Sequence, residues 1–223
     1  MLTIDGGQAH YLSTVMRLKA GDMIALFDDV SGEWRAVIDQ VGKRAVAVRA
    51  EEKMREREAV PDLWLLAAPI KKGRIDWIAE KACELGVARW RPVITQRTIV
   101  DRLNLDRLRA HMVEAAEQCE RTALPILDEP VKLAAALRDW PADRMLIFAD
   151  EEGGMPMART IKPGPAAILI GPEGGFTDDE RAAIRAIPQA VGVSLGPRIL
   201  RADTAMAAAV ALWMGLAGDW AGD

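Results

Sequence analysis

From Leu63 onward the chain alternates short apolar runs with longer amphipathic stretches, and this rhythm constrains the fold more than any other feature. "LWLLAAP", "RWRPVIT", "RMLIFADE", "AAILIG" and "AVGVSLG" are each too short for a stable helix and read as buried strands. Between them, "GRIDWIAEKACELG" sets Ile75, Ile78, Ala82 and Leu85 on one helical face, with Gly86 as the stop. "LDRLRAHMVEAAEQCER" sets Leu108, Met112, Ala115 and Cys119 on one stripe, and Leu124-Pro125 is expected to end that element. Strands alternating with helices predict an α/β domain with a mainly parallel sheet. The last segment, Asp203 to Leu216, is apolar on nearly every side and too short to cross a bilayer. Such a helix is expected to be buried, in its own core or against a partner chain.

Residues 1–58 follow another pattern. A short helix is expected around His10 to Leu18. Beyond it, turn signals at Asp28-Asp29, Ser31-Gly32 and Gly42-Lys43 separate runs such as Trp34/Ala36/Ile38 and Ala45/Val46/Ala47/Val48. This predicts a small β-rich domain. The charged run "EEKMREREAV" reads as a linker or a solvated strand end, and the second domain is expected over 62–223.

The net charge of -4 and pI near 5.4 do not advertise nucleic acid, although an acidic protein can carry a local basic face. Two cysteines, both on expected helical core faces, are too few for a disulfide framework. No secretory signal opens the chain, so a reduced, cytoplasmic protein is expected. No His/Cys group has metal-ligand spacing, and no metal is implied.

Two strand-to-helix units carry Gly-Pro at the strand end: "ILIGPEGGFTDDE" and "VSLGPRILRADTA". In open α/β sheets ligands bind beyond the carboxyl ends of the strands, where both loops fall. Neither holds the dinucleotide fingerprint or the Walker pattern. Thr177 and Glu180 predict a capping box, and Asp178 and Asp179 add negative charge to the same helix end. A phosphate would need those amides free and that potential positive. A ligand gripped by close backbone approach remains, and a phosphate-free adenosyl compound such as S-adenosylmethionine suits it.

Together, "GPEGGFTDDE" and "SLGPRILRADTA" resemble the paired motifs of the RsmE-type 16S rRNA uracil methyltransferases of the SPOUT superfamily. "HYLSTVMRLKAGD", "KKGRIDWIAEKACELGV" and "EAAEQCERTALP" resemble further segments of that family, so the likeness spans nearly the whole chain. It implies a PUA-like β-barrel over 1–58, a SPOUT domain whose C-terminal part threads a trefoil knot, and a homodimer. It also implies methyl transfer from S-adenosylmethionine to N3 of one uridine of 16S rRNA within the small ribosomal subunit. By the same resemblance the cofactor lies against Leu169, Ile170, Gly171, Gly174, Gly175, Leu195, Gly196, Ile199 and Leu200. The family reads R-T-E-T-A where this chain has "RADTA", so Ala202 and Asp203 replace Thr and Glu. The N-terminus is short against that family and lacks the opening strand with basic residues that members carry, which would weaken the barrel and RNA binding.

Methylation needs the N3 proton removed or the anion stabilised, so the main tasks are alignment of nucleophile and sulfonium and stabilisation of charge on the uracil oxygens. Arg201 is the candidate for the second, facing a carbonyl or phosphate; a surface ion pair is the alternative. Asp203 is a candidate to orient Arg201 or accept the proton, and a plain N-cap is its alternative. Candidates for RNA contact are Arg17, Lys19, Lys71, Lys72, Arg74, Arg97 and Arg198. Two other functions compete: a non-catalytic RNA- or ribosome-binding protein that keeps the fold, and an oxidoreductase, which the missing fingerprint disfavours.

Overall fold

The computed structural model describes residues 1–100, 102–150 and 153–222. The chain divides into two compact units, Met1–Ala59 and Val60–Asp223.

The first unit holds β1 (Leu2–Asp5), α1 (Gly6–His10), β2 (Met23–Asp28), β3 (Gly32–Val41) and β4 (Ala45–Arg55). Its strands pair antiparallel in the order β1-β4-β3-β2. Register shifts along the β3–β4 pairing curl this sheet into a half-barrel, as bulges do. The alternation seen in the sequence sets its inner face: Ala36, Ile38, Val46 and Val48 are all buried. The helix expected at His10 to Leu18 begins earlier, at Gly6, and runs on as a wider π-helical turn over Tyr11–Val15. Gly6 and Gly7 hide its start, because glycine disfavours helix. Arg17, left-handed at φ 56°, stops the chain short of Leu18. The charged run is a solvated strand end as far as Arg55.

The second unit holds β5 (Leu63–Ala67), α2 (Arg74–Glu84), β6 (Arg89–Ile94), α3 (Leu105–Cys119), β7 (Ile126–Leu127) and β8 (Val131–Lys132). It continues with α4 (Leu133–Leu137), β9 (Met145–Ala149), β10 (Met155–Pro156), β11 (Ala166–Ile170), α5 (Asp178–Arg185), β12 (Ala190–Ser194) and α6 (Ala202–Ala217). The strand order is β10-β12-β9-β11-β5-β6-β7, with β8 also on β6, and every pairing is parallel. The last residue of the run "RMLIFADE", Glu151, lies outside the described residues.

One core layer joins Leu66, Leu146, Phe148, Ala167 and Leu169 of the sheet to Leu133, Leu137 and Ile184 of α4 and α5. In a second layer α2 packs on α3 and α6, and α6 lies against β11. Ile75, Ile78 and Ala82 are buried as expected, and Gly86 turns the chain at φ 85°. Two expectations fail around α3. The helix ends at Cys119 rather than at Leu124-Pro125, because Glu120 is left-handed at φ 57°. There the buried Arg121 turns inward and donates to the carbonyls of Cys83 and Val87 at the end of α2. Cys119 is therefore exposed on the last turn, while Cys83 is buried. Helix α6 buries the stripe Ala202, Ala205, Met206, Ala209, Val210 and Trp213, but Leu212 and Leu216 stay 43% and 39% exposed. It is thus covered on one side within this chain, not all round.

Candidate cofactor and methyl-transfer site

Three parallel strands, β11, β9 and β12, end at the same edge of the sheet, with β9 between the other two. The two Gly-Pro loops therefore do not follow adjacent strands; β9 separates them. Sequence order says nothing of that, since a parallel crossover can return on either side of a neighbour.

Beyond the ends of β9 and β12 lies a cavity of about 370 Å³, a size typical of small-molecule sites, roughly 300–1,000 Å³. Its walls come from Ala149, Asp150, Gly153 and Gly154 after β9, from Val193 to Leu200 at the end of β12, and from Ala205 of α6. Of the expected cofactor contacts, Leu195, Gly196, Ile199 and Leu200 line it. Gly196 has φ 114° and open space where a Cβ would point, so the chain turns there and leaves room beside it. Ile199 is 89% exposed, a large apolar surface with no cover within this chain.

The first loop is tied into the core and to its neighbours. Leu169 and Ile170 are core residues, and the Ile170 carbonyl accepts from Ala68 N. Gly171 faces the Phe176 ring, Gly174 accepts from Arg97 Nη1 at 2.6 Å, and Gly175 N donates to the Pro172 carbonyl. The expected capping box is present: Glu180 N donates to Thr177 Oγ1 and Thr177 N to Glu180 Oε2. Glu180 is buried and its other oxygen accepts from Gln96 N at 2.8 Å. The helix end is thus closed, as the phosphate argument required, and the loop after β6 clamps it.

The wall after β9 was missed from sequence. Asp150 and Gly154 supply it, and the available signal was "FADEEGG", a third strand end followed by glycines. A Cβ on Gly154 would fall 2.2 Å from the Val193 carbonyl carbon, so only glycine lets the two walls meet. Asp150 is buried, and its carboxylate takes Arg181 at 2.7 Å and Arg185 at 2.6 Å, both from α5. Helix α5 starts from the first glycine loop. The helix that follows the first loop is thus tied to the cavity wall through Asp150.

The candidate catalytic pair separates. Arg201 is exposed at the N-cap of α6. Asp203 sits one step inside the helix, so it is not the cap, and its ion pair is with Arg74 at 3.3 Å rather than with Arg201. Lys71 and Lys72 are exposed on the turn before α2, and Arg198 is exposed on the cavity rim. Arg97 is committed in part to Gly174. Arg17 and Lys19 are exposed in the first unit.

Residues 56–214 match the family model described as an RNA methyltransferase domain, and residues 4–51 match an RNA methyltransferase PUA domain. The ribosomal RNA small subunit methyltransferase E of Rickettsia conorii is 31% identical, over 91% of this chain and 84% of its own length. The Synechocystis protein of the same name is 32% identical over 94% of this chain and 71% of its own. Among solved structures, a methyltransferase of Legionella pneumophila in complex with the cofactor SAM superposes with a TM-score of 0.90 at 29% identity, covering 98% of this chain and 93% of the other. The SAM-bound ribosomal RNA small subunit methyltransferase E of Neisseria gonorrhoeae gives 0.88 at 27%, with the same coverage. By its glycine-lined cavity, its half-barrel and these matches alike, the chain belongs to the RNA methyltransferase family and carries that family's PUA domain at its N-terminus.

Proposed function

We propose that the protein transfers the methyl group of S-adenosylmethionine to N3 of one uridine of 16S rRNA in the small ribosomal subunit. The observation that carries this reading is the cavity beyond β9 and β12, in a chain that superposes closely on SAM-bound relatives. The residues fit an adenosyl ligand. Leu195, Ile199 and Leu200 supply apolar wall, Gly154 and Gly196 allow close backbone approach, and the neighbouring α5 end has its Thr177 and Glu180 amides taken by the capping box and three acids in its first turn, which disfavour a phosphate. When bound, the cofactor would supply an electrophilic methyl on a sulfonium that leaves as a neutral thioether, while the N3 proton of uracil passes to water. Arg201, exposed beside the cavity loop, offers a guanidinium to a uracil oxygen, where charge builds as the proton leaves. Lys71, Lys72 and Arg198 hold rRNA phosphates, and Arg17 and Lys19 add contacts from the PUA domain. A target stacked in the subunit must flip out to reach the cavity.

The same reading includes a knotted C-terminal domain, action in the cytoplasm, and a homodimer that covers Leu212, Leu216 and Ile199. Methyl label from S-adenosylmethionine, presented with small subunits that lack the modification, tests the activity. Label at one uridine that blocks reverse transcription supports N3, because the methyl occupies the pairing edge. Binding to subunits with no label above an Arg201→Ala control would leave the non-catalytic RNA-binding protein as the better account. Sedimentation of a monomer at micromolar concentration would remove the dimer.

A further inference from the structure

The ion pair between Arg74 and Asp203 joins residues 129 positions apart, from the first turn of α2 to the first turn of α6. One guanidinium nitrogen reaches both carboxylate oxygens, at 3.3 and 3.4 Å. At the other end of the two helices, Gly86 lies against Met214, where a Cβ would be 3.1 Å from its terminal methyl. The helices therefore run side by side in the same direction, pinned at both ends. At the leading ends both helix dipoles present positive potential, which favours Asp203 and disfavours Arg74. An arginine held there against the dipole is matched by the carboxylate it grips. That carboxylate lies three residues after Leu200, the last of the cavity-lining loop, and two before the wall residue Ala205.

We infer that Arg74 is a positioning residue. Through Asp203 it fixes the start of α6, and so the Leu195–Leu200 loop that binds the cofactor, rather than serving as a phosphate contact. The inference rests on the methyltransferase reading above. The chain's shorter carboxylate makes the tie a long one, so it is sensitive to changes at either residue.

The test measures S-adenosylmethionine affinity by calorimetry and subunit binding across a salt series, for wild type, Arg74→Ala, Asp203→Asn and the double variant. For a pair whose side chains are 33% and 17% exposed, the expected weakening of cofactor affinity is about two- to fivefold in each single variant. The double variant should be no weaker than the worse single one, because the two residues act as a unit. Arg74→Lys should recover part of the loss, and the salt slope of subunit binding should stay at the wild-type value. A salt slope reduced by about one charge, with cofactor affinity intact, would make Arg74 a phosphate contact and overturn the inference. Lowered melting temperature alone, with unchanged affinity, would overturn it too. Should Arg74→Ala not fold, Arg74→Lys and Arg74→Gln carry the same comparison. Failure of the wild type to bind S-adenosylmethionine at all would sink the underlying reading; wild-type binding with unaltered variants would sink only this inference.

Discussion

Replacing Glu180 tests the account of the first glycine loop most directly. Its carboxylate accepts from Thr177 N at 3.0 Å and from Gln96 N at 2.8 Å, tying the helix end to the loop after β6. Glu180→Ala removes both acceptors. Loss of a cap residue's partner costs about 1 kcal/mol. A hydrogen bond to a charged group adds roughly 1.5–3 kcal/mol when buried. Gln96 is exposed and water can reach its amide, so the lower end applies to it. The expected destabilisation is about 2–3 kcal/mol. For a chain of this size that lowers the melting temperature by roughly 4–12 °C. Glu180→Gln is expected to lose nearly as much as the alanine variant, because its amide NH2 must face one of two backbone N–H donors. Asp178→Asn, exposed on the first turn, removes only a helix-end charge and is the control. Thermal melting followed by circular dichroism reads all three. Glu180→Gln melting with the wild type would refute the claim that both oxygens are engaged.

Other consequences follow from the same geometry. Gly154→Ala drives a methyl into the β12 backbone and should abolish S-adenosylmethionine binding in calorimetry, whereas Gly153→Ala, with nothing within 4 Å, should cost only backbone strain. Lys71→Ala and Lys72→Ala should each weaken subunit binding alike for all sequences and reduce its salt slope by about one. Asp28 takes the Ser31 amide and hydroxyl and the Val30 amide, which holds its carboxyl below the ordinary 3.8. A depressed folded value gives stability that is present above the unfolded value and lost as pH falls through the folded one. Melting of the PUA domain should therefore soften below about pH 4 in the wild type, and less so in Asp28→Asn.

The strands, the amphipathic faces of α2 and α3, and the closed end of α5 were legible because each depends on neighbours a few residues apart. Thr177 and Glu180 meet across one turn, and spacing alone announces them. The end of α3 was not legible, since Glu120 turns left-handed where Arg121 reaches the distant carbonyls of Cys83 and Val87, and neither was the left-handed Arg17 after the first helix. The second glycine loop lines the cavity beyond β12. What the sequence did not show of the first is its tie to Arg97 and, through Glu180 of the helix that follows it, to Gln96, both far off in sequence.

Local chemistry in the sequence thus determined the element types, the parallel α/β class, the phosphate-poor helix end and the kinship with RNA methyltransferases. Only the tertiary structure decided that β9 lies between the two glycine-bearing strands, that Asp150 and Gly154 complete the cavity, and that Arg74 rather than Arg201 holds Asp203. Parallel strands pair through crossovers whose neighbours are chosen by packing of the whole layer, and that choice leaves no mark on any short stretch of residues.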